Sequence, residues 1–152
     1  MIEIYTDKKV AYIEAVAEVL GLTADTKWTE TDIMFEFSKK LDGDAGGYCF
    51  GDVDSVEIEI ATHVQGEKLS EDTILQNIAH EMIHAKQIIE GRLEDLGLQL
   101  ATTGDTQTLV KAQVWEGEII TNLAYEDQPW EIEAYSNEER VKLEALQLLE
   151  GN

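Results

Sequence analysis

The sequence His80-Glu81-Met82-Ile83-His84 contains three side chains that together could hold a metal ion and activate water. Residues four apart in an α-helix lie on one face, one turn above each other, so His80 and His84 can reach the same ion. A metal held in this way polarises a bound water molecule, and a neighbouring carboxylate can accept the water's proton. Glu81, beside the first histidine, is suited to that second task. The pattern therefore predicts a metal site with water-activating chemistry.

This chemistry requires the motif to lie on a helix, and the flanking sequence favours one. Residues 73–90 contain neither proline nor glycine. Ser70 can accept hydrogen bonds from the first free amides of such a helix, and Gly91 is typical of a helix end. Apolar residues recur at helical spacing along one side of the segment, as in a helix that packs on a core. These residues are Leu75, Ile78, Met82, Ala85 and Ile89.

A catalytic zinc site needs a third protein ligand besides the two histidines, and it keeps one position open. The only other histidine, His63, precedes the motif, so a downstream carboxylate is expected to complete the site unless His63 folds back. The strongest candidates, Glu131 and Glu133, follow Pro129, which suits the first position of a final helix. They are separated by about 200° around a helix, so only one of them can face the metal.

The remaining pattern predicts a single α+β domain over residues 1–152. We expect strands at residues 2–5, 31–39, 48–50 and 55–63, helices at 8–20, 73–90, 92–100 and 129–149, and two short strands within 109–120. Residues 48–50 are expected to pair back on the preceding strand as a hairpin, and residues 101–107 are expected to be polar and mobile. The predicted architecture is a small, mostly antiparallel sheet packed on the long motif helix and on the C-terminal helix that carries the third ligand.

Composition argues against several classes of protein. The net charge of −21 leaves few cations for nucleic-acid phosphates or anionic membrane surfaces, so neither is an expected partner. Three reasons for such a negative charge stay open: it keeps the protein soluble, it attracts a basic partner or substrate, or it mimics DNA. No apolar run is long enough to span a membrane. The single cysteine, Cys49, suits a reducing interior and is expected to be a small core residue. We expect a cytoplasmic monomer.

The histidine motif followed by a later helix with the pattern Glu-x-x-Ala resembles the gluzincins, the thermolysin-like zinc peptidases. More narrowly, the chain is similar to minimal phage and bacterial metallopeptidase-like domains, and the similarity covers about residues 55–140. The similar residues after the motif are Trp115, Gly117, Tyr125, Pro129, Trp130, Glu131, Glu133 and Ala134. For a phage protein, the expected location is the host cytoplasm.

The resemblance implies Zn²⁺ bound by His80, His84 and Glu131, because the family's ligand glutamate commonly sits three residues before a small residue, here Ala134. Glu133 stays the alternative. The family often has Asp or Asn four residues after the ligand, where it orients a histidine. That position holds Asn137 after Glu133. After Glu131 it holds Tyr135, which departs from the family pattern.

The resemblance also implies hydrolysis of peptide bonds in peptide or protein substrates. Glu81 would accept the proton of the attacking water and pass it to the leaving amine, and Tyr125 or Tyr135 could stabilise the oxyanion. The strand at residues 55–63 is expected to form a sheet edge that an extended peptide could join. Two alternatives stay open. One is an inactive binding module that keeps the fold and the metal; the other is an acidic DNA mimic that binds no metal.

Overall fold

The computed structural model describes residues 2–22 and 30–151 and has the predicted α+β class. The helices are α1 (Val10–Val19), α2 (Glu71–Ile89) and α3 (Pro129–Glu150). The strands are β1 (Ile2–Tyr5), β2 (Thr31–Ser38), β3 (Gly47–Gly51), β4 (Ser55–Ala61), β5 (His63–Val64), β6 (Glu67–Lys68), β7 (Leu93–Thr103), β8 (Thr106–Trp115) and β9 (Glu118–Thr121). Within the described ranges, no helix combines the length and apolar character that crossing a membrane requires.

The main sheet has four strands in the order β1-β2-β4-β3. β1 pairs with β2 and β2 with β4 in parallel, whereas β3 is antiparallel to β4. The chain passes through α1 between β1 and β2, and a helical crossover of this kind allows consecutive strands to run parallel. The expectation of a mostly antiparallel sheet therefore does not hold for this sheet. The smaller sheets, β5-β6 and β7-β8-β9, are antiparallel.

β3, and not β4, forms the edge of the main sheet beside the motif helix. The prediction that residues 48–50 pair with the preceding strand was wrong, because Cys49 lies opposite Ile58 of β4. The prediction that residues 55–63 form an edge was also wrong, because β4 lies between β2 and β3. Burial explains the order: the apolar side chains of β4 are fully covered, whereas Tyr48 and Phe50 of β3 stay exposed.

One face of the main sheet packs on the helices, and α2 lies at the centre of this packing. Its predicted apolar stripe is confirmed, since all five side chains are buried. Ser70 caps the helix as expected and accepts a hydrogen bond from the Thr73 amide at 3.1 Å. Gly91 follows the helix with a φ of 77°, a left-handed conformation that favours glycine. The motif is therefore carried on a helix that is fixed at both ends and along one side.

The segment after α2 folds differently from the prediction. Residues 92–100, expected as a short helix, belong largely to β7, and residues 101–107 lie in the hairpin that β7 forms with β8. The register shifts between Asp95 and Gly97, so one extra residue interrupts the alternation of apolar side chains. Leu93, Leu96 and Leu100 thereby acquire helix-like spacing within a strand. The two short strands expected around residues 115–117 are confirmed as the end of β8 and as β9.

Candidate functional site

His80 and His84 direct their Nε2 atoms at one carboxylate oxygen. Glu131 Oε1 lies 3.2 Å from His80 Nε2 and also contacts His84 Nε2. Each of the three residues is only 6% exposed. The histidines lie on α2, whereas Glu131 lies on the first turn of α3. The packing of α3 on α2 therefore brings Glu131 to two histidines that lie about fifty residues earlier in the sequence.

The other nitrogen of each imidazole faces a hydrogen-bond acceptor. His80 Nδ1 lies 3.0 Å from Glu138 Oε2, and His84 Nδ1 lies 2.8 Å from Gln87 Oε1. A carboxylate and an amide oxygen can only accept, so each Nδ1 carries the proton. In a neutral imidazole this leaves a lone pair on Nε2. Both lone pairs then point at the same oxygen of Glu131.

Three lone-pair-bearing atoms in one buried place require positive charge between or on them. Protons on both imidazoles would supply it, and so would a metal ion. Glu131 Oε2 is also buried, and among the described residues it has no hydrogen-bond partner. Two imidazole nitrogens and a carboxylate form a donor set that suits a divalent metal ion. The residues present therefore fit a divalent metal ion.

The pKa values of His80, His84 and Glu131 depend on one another. Burial alone would lower the pKa values of His80 and His84, but the hydrogen bonds and the charge of Glu131 outweigh it and raise both. Burial would raise the pKa of Glu131, yet the hydrogen bonds from both imidazoles hold it far below its usual range. In a chain without metal, the site therefore favours charged imidazoles around an ionised Glu131.

Glu81 lies beside the imidazoles on the wall of a cleft. One of its carboxylate oxygens and one nitrogen of each imidazole lie within 4.8 Å of one another. Burial raises the pKa of Glu81 to about 7. Gly47 of β3 packs against this side chain, since a Cβ at that position would lie 3.0 Å from both Cγ and Oε2 of Glu81. The predicted strand at residues 48–50 began one residue after Gly47, and nothing in the sequence indicated this contact. The missing side chain of Gly47 leaves room for the carboxylate of Glu81.

Glu133, the rival for the third ligand, is directed away from the imidazoles. It accepts hydrogen bonds from Arg92 at 2.6 and 2.9 Å and from Gln87 Nε2 at 3.1 Å. The hydrogen bonds from Arg92 keep the pKa of Glu133 below its ordinary value. Because the side-chain nitrogen of Gln87 donates to Glu133, the side-chain oxygen of Gln87 is left to face His84. Glu133 thus orients the side-chain amide of Gln87, and this amide in turn orients His84.

Glu138, which the sequence analysis missed, contacts the other histidine in the same way. Its Oε2 faces His80, while its Oε1 accepts a hydrogen bond from Gln76 at 3.1 Å. The amide oxygen of Gln76 in turn accepts from the buried Lys142 at 3.0 Å. Glu138 follows Glu131 by seven residues, or about two helical turns, so both project from one side of α3. That spacing is the signal by which the sequence could have indicated it.

Both tyrosines considered as oxyanion donors adjoin the site. Their hydroxyls lie 3.0 Å apart, and the ring of Tyr135 is 4.6 Å from the ring of His80. Tyr125 also lines the cleft, where burial and then the hydrogen bond to Tyr135 raise its pKa. Tyr135 occupies the position four residues after Glu131. It packs against His80, while Glu138 provides the hydrogen-bond partner of that histidine.

His63 and Cys49 lie outside the group of described side chains that could share an ion. His63 is on β5, where its Nδ1 is 2.7 Å from the hydroxyl of Thr62. Cys49 is half-buried in the cleft wall, rather than in the centre of the core, and packs at the edge of the apolar cluster. Burial raises the pKa of its thiol, and Glu81 and Glu131 add to the effect.

The cleft has a volume of about 880 Å³ and runs between the edge strand β3 and the β7-β8 hairpin. Tyr48 and Phe50 line one side, and Asp95 and Gln113 line the other. Among the described residues that line it, the carboxylates are those of Glu81, Asp95 and Glu131, and no lysine or arginine is present. The cleft is therefore acidic, and His84 lies on its wall together with Glu81 and Glu131.

Comparisons with protein-family models, with curated proteins and with solved structures find no match to this chain. The strongest observation on the site is a buried His-Glu-x-x-His group on a helix, which could hold a metal ion.

Proposed function

We propose that this chain is a zinc-dependent peptidase that hydrolyses peptide bonds in peptide or protein substrates. The observation that carries the proposal is the convergence of both Nε2 atoms on Glu131 beside the carboxylate of Glu81. His80, His84 and Glu131 would hold the zinc, because two imidazoles and a carboxylate are a known ligand set of catalytic zinc sites. When bound, zinc would polarise a water molecule and stabilise negative charge on the substrate carbonyl oxygen.

The protein's own part in the reaction belongs mainly to Glu81. Its carboxylate would accept a proton from the attacking water and return it to the leaving amine. A pKa near neutrality suits a group that must do both, although a bound dication would lower the value. Tyr125, which lines the cleft, could donate a hydrogen bond to the developing oxyanion. The free edge of β3 offers backbone groups to an extended substrate.

A combined metal and activity assay tests the proposal. The purified chain, exposed to zinc and then desalted, should contain about one zinc ion as measured by elemental analysis. It should cleave members of a mixed peptide library, and a chelator should abolish cleavage until zinc is restored. A chain that binds zinc but cleaves nothing would support the inactive binding module. If the chain binds no zinc, the proposal is overturned and the alternative of an acidic DNA mimic is favoured.

Substitution of Gly47→Ala tests the placement of Glu81. The new methyl group would approach Cγ and Oε2 of Glu81 at 3.0 Å, so the carboxylate must move. We expect kcat/KM to fall by about ten- to a hundredfold, since small misplacements of catalytic groups have effects of this size. Bound zinc should stay at its wild-type level, because the three atoms nearest to the new methyl group belong to Glu81 and Glu59 and not to a proposed zinc ligand.

The matched control for this variant is Gly151→Ala. It makes the same change in the unfolded chain, but at the end of α3, where the nearest atom lies 3.5 Å away. Wild-type activity in Gly47→Ala, with the fold intact, would show that Glu81 does not need the space beside β3.

Substitution of Glu138→Ala tests the support of His80. The variant leaves His80 Nδ1 without its carboxylate partner, so the imidazole is held less firmly and is less basic. Zinc affinity should fall by about ten- to a hundredfold, as measured by competition with a chromophoric chelator. The neighbouring exposed residue provides the control, Glu139→Ala, which should bind zinc like the wild type. Equal affinities in the two variants would contradict the role given to Glu138.

A further inference from the structure

We propose that the β7-β8 hairpin carries a docking surface for substrate: a face formed by Leu98, Leu100 and Leu109, here called the leucine face. Its occupant is a segment of the substrate polypeptide that flanks the scissile bond and contains both apolar and basic side chains. This inference rests on the proposed peptidase function and names the class of substrate that the same cleft would take.

The strand register makes the leucine face continuous with the cleft. Asp95 lies opposite Gln113, and Leu100 lies opposite Leu109. Side chains alternate along a strand, so Leu109 and Gln113 of β8 project from the same face of the hairpin. The register shift after Asp95 places Leu98 and Leu100 on that face as well. Because Asp95 and Gln113 line the cleft, the leucine face extends the cleft wall outward.

The leucine face is unusually exposed for its composition. Leu98, Leu100 and Leu109 are 62%, 67% and 61% exposed, respectively. Leu100 and Leu109 form a directly opposed cross-strand pair, and Leu98 precedes Leu100 by two residues on the same side. A contiguous apolar group of this kind in water is typical of a surface that a partner covers.

The charges indicate which partner fits. Residues 93–121, which contain the hairpin and β9, include five acidic residues and a single basic one, Lys111. Lys111 lies opposite Leu98 on the leucine face, so the lysines or arginines of an extended segment would have to alternate with its apolar residues and point away from that face. The cleft beside them is acidic as well. A second copy of this chain would bring a further net charge of −21 and would be repelled. A polypeptide segment with lysine or arginine beside its apolar residues would be attracted to the acids and would cover the leucines.

The geometry also gives the part of the substrate that should be recognised. Leu109 is four residues from Gln113 along β8, a distance of about 14 Å. An extended substrate advances about 3.4 Å per residue, so about four residues separate the part beside Gln113 from the part beside Leu109. Leu98 lies opposite Lys111, so only about two residues separate the part beside Gln113 from the near end of the leucine face. Flanking residues closer to the cleft than this near end should not affect docking.

Binding to the zinc-loaded Glu81→Gln chain tests the inference without turnover. The probes are labelled peptides with a neutral eight-residue core, extended at one end or the other by six residues of alternating Leu and Lys, Ser and Lys, or Leu and Glu. Fluorescence anisotropy should show that a Leu-Lys extension at one of the two ends binds about tenfold or more tightly than the other extensions, because burial of a single leucine has an effect of that size.

Variants of the hairpin identify the surface. Leu98→Thr, Leu100→Thr and Leu109→Thr combined should reduce the affinity for the Leu-Lys peptide to that for the Ser-Lys peptide. Threonine preserves strand propensity, and the three single variants should give part of the effect if the triple variant does not fold. Ile119→Thr is the control. It removes a side chain that is 70% exposed and lies opposite Val114, on the other face of the same sheet, and should leave the preference intact.

The outcomes separate this inference from the peptidase proposal. Equal affinity for all peptides, or an unchanged preference in the triple variant, would overturn the docking surface even if the wild type cleaves peptides. A preference that depends on the leucines would support the docking surface even if the wild type cleaves none of the same peptides. In that second case the peptidase proposal alone would fail.

Discussion

Replacement of Glu131→Gln is expected to lower the zinc affinity of the chain by more than about a hundredfold. This loss is larger than the loss of about ten- to a hundredfold that is typical when a residue that only hydrogen-bonds to a metal ligand is replaced. Glutamine has nearly the same shape but lacks the negative charge that lies between the two imidazoles. Its amide can also turn an N–H group toward the Nε2 lone pairs and satisfy them without a metal. Elemental analysis and competition with a chelator measure the effect, and peptidase activity should disappear with the metal.

Glu133→Gln provides the matched control for this prediction, since it makes the same change two residues away on α3. It weakens the ion pair with Arg92 and one hydrogen bond with Gln87, so it should reduce zinc affinity by about tenfold at most. If Glu133→Gln lost zinc while Glu131→Gln retained it, the alternative ligand would be correct, and the rotation of α3 in solution would differ from that described above.

Replacement of Glu81→Gln should lower kcat/KM for peptide cleavage by about a thousandfold while about one zinc ion stays bound. General acid–base catalysis by one positioned group typically contributes between about a hundredfold and ten-thousandfold. The amide keeps the volume of the side chain beside Gly47 but cannot accept the proton of the attacking water. Steady-state kinetics on a peptide selected from the library, together with zinc analysis, measure both quantities.

Glu57→Gln is the control for this variant, because Glu57 is an exposed carboxylate on the neighbouring strand β4 and lies on the solvent side of the sheet. Its activity should equal that of the wild type. If Glu81→Gln cleaved peptides as fast as the wild type, Glu81 would not be the general base, and another acceptor in the cleft would have to take its place.

The local features of the site could be predicted because they depend on neighbours in the sequence. Ser70, the absence of proline and glycine up to Gly91, and the apolar stripe together define α2 and its buried side. The separation of four residues then places His80 and His84 on the same face. Pro129 likewise indicates the start of α3. These patterns follow from helical periodicity and capping, which act over one or two turns.

The order of strands could not be predicted in the same way. Strand pairing depends on which distant segment covers each face and edge, and alternation alone does not identify a partner. β4 was expected at the edge but is interior, and β3 was expected to pair with β2 but occupies the edge beside α2. The register shift after Asp95 hid the strand pattern of β7. The cleft beside the imidazoles lies between these two misassigned elements.

The sequence alone predicted that two histidines and a glutamate share a helix and pointed to a carboxylate on a later helix as the candidate third ligand. It left Glu131 and Glu133 as alternatives, because the choice depends on the rotation of α3 about its own axis. The fully buried Ala134, Val141 and Ala145 set that rotation by packing in the core, so Glu131 and Glu138 face α2, while Glu133 meets Arg92. Only the tertiary structure decided this, because packing between distant helices determines which side of each one faces the site.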